Sequence, residues 1–168
     1  VSAVSLSGPV AISTDSGIGT IAFNSTLNGA QALSLTAGTG NVTFTGAVGG
    51  TVALASILVN SATDVTLSST VRTSGNLTQS AGTGTTTFNG TSGTGIGGNL
   101  AATTNAITLS SSPIVTVGTV NLNAQNAIAV NASAGLNAGA STITILANQD
   151  GAGSAGFTQA SGTTIQTT

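Results

Sequence analysis

Two apolar residues separated by one small or polar residue recur along this chain at a nearly constant interval, and that interval restricts the fold more than any other feature. The pairs are Val4/Leu6, Ile21/Phe23, Val42/Phe44, Val65/Leu67, Thr86/Phe88, Ile107/Leu109, Ile128/Val130 and Ile143/Ile145, with one apolar slot lost to Thr86. Steps between the second members are 17, 21, 23, 21, 21, 21 and 15 residues. Alternation with period two marks a strand with one buried face. A unit of this length cannot enclose a core alone, whereas stacked units pair each strand with its equivalents above and below.

Longer matches keep the same register. Ser34-Leu-Thr-Ala-Gly-Thr-Gly-Asn-Val-Thr-Phe44 aligns with Thr78-Gln-Ser-Ala-Gly-Thr-Gly-Thr-Thr-Thr-Phe88, and Leu77-Thr-Gln-Ser-Ala-Gly82 returns as Phe157-Thr-Gln-Ala-Ser-Gly162. Repeat boundaries fall near 3 to 19, 20 to 40, 41 to 63, 64 to 84, 85 to 105, 106 to 126, 127 to 141 and 142 to 162. Gly, Asn and Ser punctuate the strands, and no window carries a helical stripe. The sequence therefore predicts an all-β, single-domain parallel β-helix (β-solenoid) over 1–168, with about eight coils of roughly 21 residues. At about 4.8 Å per coil this makes a rod roughly 38 Å long.

Stacking explains the composition. Equivalent side chains form columns about 4.8 Å apart, so a repeated charge would face its own copy. Only Asp15, Asp64, Asp150 and Arg72 are charged. Thr, Ser, Asn and Val tolerate self-stacking, and Asn and Gly suit the left-handed backbone of tight corners. The expected interior column is Leu6, Phe23, Phe44, Leu67, Phe88, Leu109, Val130 and Ile145, with Val4, Ile21, Val42, Val65, Ile107, Ile128 and Ile143 beside it.

The same composition removes whole classes of function. Without His, Cys, Lys, Glu, Tyr, Trp or Met, the usual general bases, thiolate nucleophiles and soft metal ligands are missing. A single cation cannot neutralise a phosphate backbone, so nucleic acid is not an expected partner. The nearly apolar run Val52 to Val59 is far short of the roughly 20 residues of a membrane-crossing helix, and four Phe cannot form the two aromatic girdles of a membrane barrel. A mean hydropathy of +0.44 argues against a disordered chain. No catalytic residue, cofactor or metal is expected.

The stretch Ala22-Phe-Asn-Ser-Thr-Leu-Asn-Gly-Ala-Gln-Ala-Leu-Ser-Leu-Thr-Ala-Gly-Thr-Gly-Asn-Val-Thr-Phe-Thr-Gly-Ala-Val-Gly-Gly50 resembles the repeat regions of large secreted bacterial surface proteins, the filamentous-haemagglutinin-like exoproteins and autotransporter passengers. The likeness extends weakly over the whole chain. It implies a right-handed parallel β-helix, an extracellular or cell-surface location, and a stalk, filament or adhesive role. Val1 leads at once into the first pair and Gly162-Thr-Thr-Ile-Gln-Thr-Thr168 enters a further repeat, with no polar cap at either end. The expected partners are accordingly a continuation of the chain or other copies stacked end to end, and a host or neighbouring-cell surface.

Several residues invite a sharper reading. The outward column Ala22, Thr43, Thr66, Thr87, Thr108, Ala129, Thr144 and its neighbour Asn24, Thr45, Ser68, Asn89, Ser110, Asn131, Leu146 resemble the threonine-rich faces of ice-binding solenoids. Thr43, Thr45, Thr66, Thr87 and Thr108 are the candidate ice or ligand face, against the plain reading that Thr suits an exposed strand. Asn148-Gln-Asp-Gly-Ala-Gly153 offers calcium one carboxylate where several are wanted, which favours a surface turn. Asp64 and Arg72 are spaced for an ion pair within one repeat, worth little if exposed. The sequons at Asn24, Asn41, Asn76, Asn89 and Asn131 are about as many as chance supplies in so Ser/Thr-rich a chain.

Overall fold

The computed structural model describes residues 2–90, 94–111 and 113–168. Every strand pairing in it is parallel, and the described residues contain no helix. The chain winds past three faces in turn, each carrying a parallel sheet. Sheet I holds Ile21–Phe23, Val42–Phe44, Val65–Leu67, Thr85–Phe88, Ala106–Leu109, Ile128–Val130 and Phe157–Gln159. Sheet II holds Val10–Ser13, Ala32–Thr36, Ser56–Ser61, Leu77–Gln79, Leu100–Thr104, Val120–Ala124 and Ile143–Leu146. Sheet III holds Arg72–Thr73, Thr94–Ile96, Pro113–Thr116, Gly135–Asn137 and Thr164–Gln166. The pair Val4–Ser5 and Leu27–Asn28 extends that third face through single bridges from Leu27 to Val48 and from Val48 to Val71. The fold is the expected β-solenoid.

The alternating residues fill its interior. Leu27, Val48 and Ile114 on the third face, Leu33, Leu100 and Leu122 on sheet II, and Val42, Ile107 and Leu109 on sheet I are all buried in one continuous core. Phe23, Phe44, Leu67, Phe88, Leu109 and Val130 lie in a single column, each paired with the next. Where the chain leaves sheet III near its first coils, Gly29 has φ 121° and a side chain there would run into the Leu6 backbone one coil below. Only glycine meets both demands.

Three expectations are corrected. The stack has about six turns, not eight, since sheets I and II have seven strands each and hence six steps. At about 4.8 Å per step those sheets span about 29 Å. Leu6 and Ile145 pack against the core but outside the phenyl column: the Leu6 amide donates to Asn28 O, and Ile145 pairs with Leu122 on sheet II. Val4 and Ile143 leave the neighbouring column likewise, for Leu27 and Val120. After Val130 the phenyl column continues at Gln159, because the last step along sheet I, from Ile128 to Phe157, is 29 residues long and carries the Asn148–Gly153 turn. Alternation identifies a strand but not which of three equivalent faces it occupies, and the first and last pairs belong to other faces.

Candidate functional site

The outward residues of sheet I form the candidate surface. Thr43 pairs with Thr66, Thr66 with Thr87 and Thr87 with Thr108, so four consecutive coils place a threonine at one register position. Ala22 precedes them and Ala129 and Thr158 follow. The four threonines are partly exposed. Thr45 is exposed and belongs to the next column, where its amide donates to Phe23 O and the Ser68 amide in turn donates to Phe44 O. Thr144 and Leu146 are corrected out of this face, since they pair with Asn121 and Asn123 on sheet II. The ladder is thus an even, uncharged row of hydroxyls and methyls about 4.8 Å apart.

The corners are built by side chains whose role the sequence did not disclose. Asn41 Oδ1 accepts from the Asp64 amide at 3.1 Å, and Asp64 Oδ1 accepts from the Thr85 amide at 2.7 Å. At another corner Asn76 Oδ1 accepts from the Asn99 amide and Asn99 Oδ1 from the Thr119 amide, each at 2.9 Å. Each side chain thereby satisfies a backbone donor of the following coil that lies beyond the strand ladder. The left-handed backbone expected of corner asparagines is confined, among described non-glycine residues, to Asp15, Ser133 and Asn148. Asp64 therefore serves the next coil's backbone, and Arg72 points outward from sheet III; no ion pair joins them among the described residues.

The three carboxylates share one corner, between sheets II and I, but stand at different heights. Asp15 is in the first turn of the stack, Asp64 two coils higher, and Asp150 in the long loop of the last. No two lie on adjacent coils, so they do not form the facing pair that glycoside cleavage needs. Asp150 Oδ1 accepts from the Ala152 amide at 2.9 Å, which closes a surface turn, and no cluster of three acidic or metal-binding side chains exists among the described residues. No helix of the described chain is long and apolar enough to cross a membrane.

Inside the barrel sits a polar group that the sequence reading passed over. Gln79 and Thr86 are buried, and Thr86 Oγ1 donates to Gln79 Oε1. Gln79 Nε2 is buried without a partner. Thr104 Oγ1, nearby, donates to Gly84 O at 2.9 Å. The signal was present: Gln79 follows Leu77 at the inward interval, and Thr86 is the apolar slot that was lost. A comparison with known protein families, curated proteins and solved structures finds no match to this chain.

Proposed function

We propose that this chain is a non-enzymatic structural element, the shaft of a bacterial surface adhesin or self-assembling fibre that works outside the cell. The observation that carries the reading is the single hydrophobic core that runs from Ile21 to Ala138, around which three parallel sheets run with almost no charge on their outer faces. The inter-coil hydrogen bonds resist bending along the stack. Pulling single molecules from both ends tests this. A shaft should unravel coil by coil, each releasing about 70 Å of chain at roughly 3.5 Å per residue. Collapse without steps at negligible force, or cleavage of a polysaccharide by the pure protein, would overturn it.

The threonine row on sheet I supports a second reading, an ice-binding face. Its methyls and hydroxyls repeat without interruption from Thr43 to Thr108. Thermal hysteresis at micromolar protein is the test; its absence removes this reading.

A further inference from the structure

The outer side of sheet III is corrugated across four successive strands, Arg72–Thr73, Thr94–Ile96, Pro113–Thr116 and Gly135–Asn137. Arg72 stands out from the first of them, and Pro113, Val115 and, just past its end, Val117 stand out from the third. Val115 is 48% and Val117 70% exposed, in the middle of the stack. The strand between these two ridges presents Gly95 and then Gly97, under a hollow of about 320 Å³ that Arg72, Val115 and Val117 rim. The fourth strand presents Gly135, with Gly139 beyond its end, and a second hollow of about 330 Å³ opens beside Gly135 and Asn137. Pairing places Arg72, Gly95, Val115 and Asn137 at one register position. Ridge, hollow, ridge and hollow thus follow one another at steps of about 4.8 Å.

Such a surface fits itself. A two-fold axis lying in the face, along the strands and midway between Thr94–Ile96 and Pro113–Thr116, sets the coils of a second copy opposite those of the first in reverse order. The second copy's Val115 then stands over Gly95 and its Val117 over Gly97, and the converse holds. Arg72 stands over the second copy's Asn137. The other symmetric arrangement, with both stacks running the same way, sets every coil against itself. Val115 and Val117 then meet their own copies, the hollows face each other, and the Arg72 side chains are opposed. Moving the antiparallel axis down by one coil drives Val115 and Val117 onto the Gly49–Ala53 loop, which occupies the face below Arg72.

We propose that a second copy docks face to face on sheet III in this antiparallel register, burying Val115 and Val117, which one chain alone leaves in water. Charge favours it. The three carboxylates share the corner between sheets II and I, across the molecule from sheet III, so none of them enters the interface. The two Arg72 side chains are three coils apart, about 14 Å, which exceeds the screening length at physiological salt. Each guanidinium gains Asn137 Oδ1 of the other copy, which already accepts from the Gly139 amide at 2.8 Å and has a second lone pair. With the bordering coil on either side, the overlap is about 29 Å by about 17 Å. It buries roughly 1,000 Å² in all, at the low end of specific interfaces, so the dimer is weak, with Kd on the order of 0.1 mM. This pairing goes beyond the shaft reading and does not require it.

Sedimentation equilibrium of the wild-type chain, taken up to roughly 1 mM, should show monomer and dimer. Gly95→Val fills the hollow without disturbing the fold, because a Cβ at Gly95 meets only Arg72 Cγ, at 4.0 Å. Val115→Gly removes the ridge. Each substitution alone should weaken the dimer at least tenfold, roughly. Together they exchange ridge and hollow at one register position, and the antiparallel fit returns; the doubly substituted chain should dimerise within roughly threefold of wild type. Loss in each and recovery in both is the signature of Gly95 facing the second copy's Val115. Circular dichroism and melts at low concentration check that every variant is folded. A wild-type chain that stays monomeric throughout, or a double variant no tighter than the single ones, would overturn the pairing. Coil-by-coil unravelling of single molecules does not depend on dimerisation and judges the shaft reading separately.

Discussion

The rings of Phe23 and Phe44 lie parallel, 3° apart in plane and with centroids 5.1 Å apart, one on each of two successive coils. The spacing is that of the strands that carry them, so the inter-strand hydrogen bonds and the ring stack have a common period.

Phe44 is almost fully buried between Phe23 and Leu67, while Phe23, first in that column, is only partly buried. Phe44→Ala should lower unfolding stability by about 3–5 kcal/mol, and Phe23→Ala by less, because the edge can collapse into the space. Urea midpoints for the two variants decide it; equal losses would mean that the ends are as tightly packed as the middle.

Thr86→Val removes the donor to buried Gln79 Oε1 and should cost about 1–3 kcal/mol, the penalty of an unsatisfied interior acceptor. Gln79→Val with Thr86→Val replaces both partners by the residues that hold those register positions one coil below, Val59 and Val65, and should recover at least the wild-type stability. The difference between single and double variants, by denaturant titration, is the coupling of the pair.

Asp64 receives the Thr85 amide through Oδ1. Asp64→Asn keeps that acceptor and should change stability little, whereas Asp64→Ala should cost about 1 kcal/mol, as lost side-chain caps do. Similar losses from both would show that the charge matters rather than the bond.

Thr66 and Thr87 are register neighbours on the outer face of sheet I. Thr66→Lys or Thr87→Lys alone should be tolerated, but together they should destabilise by about 0.5 kcal/mol beyond the sum, since like charges then face each other. Thr66→Glu with Thr87→Lys should reverse the sign. Thermal melts at low salt would show it, and a purely additive pair would contradict the stacking.

Much of the architecture was legible because a repeating interior must be written into a repeating sequence. Ser34 to Phe44 and Thr78 to Phe88 do occupy matching columns two coils apart. The likeness of Leu77-Thr-Gln79 to Phe157-Thr-Gln159 misled, for the first lies on sheet II and the second on sheet I. The threonine row was legible as far as Thr108. The corner acceptors Asn41, Asp64, Asn76 and Asn99 were not, because a hydrogen bond to the next coil has no signature in the residue that makes it.

Local alternation and its interval, taken by themselves, determined that the chain folds as stacked parallel strands with an apolar interior and an almost uncharged exterior. That follows from strand geometry, which sends alternate residues inward whatever the surroundings. Which of three faces each strand joins, and that Val4 and Ile165 share one column, were decided only in three dimensions. The faces are chemically alike, so the length and path of the intervening loops, settled by packing across the whole coil, assign each segment to its place.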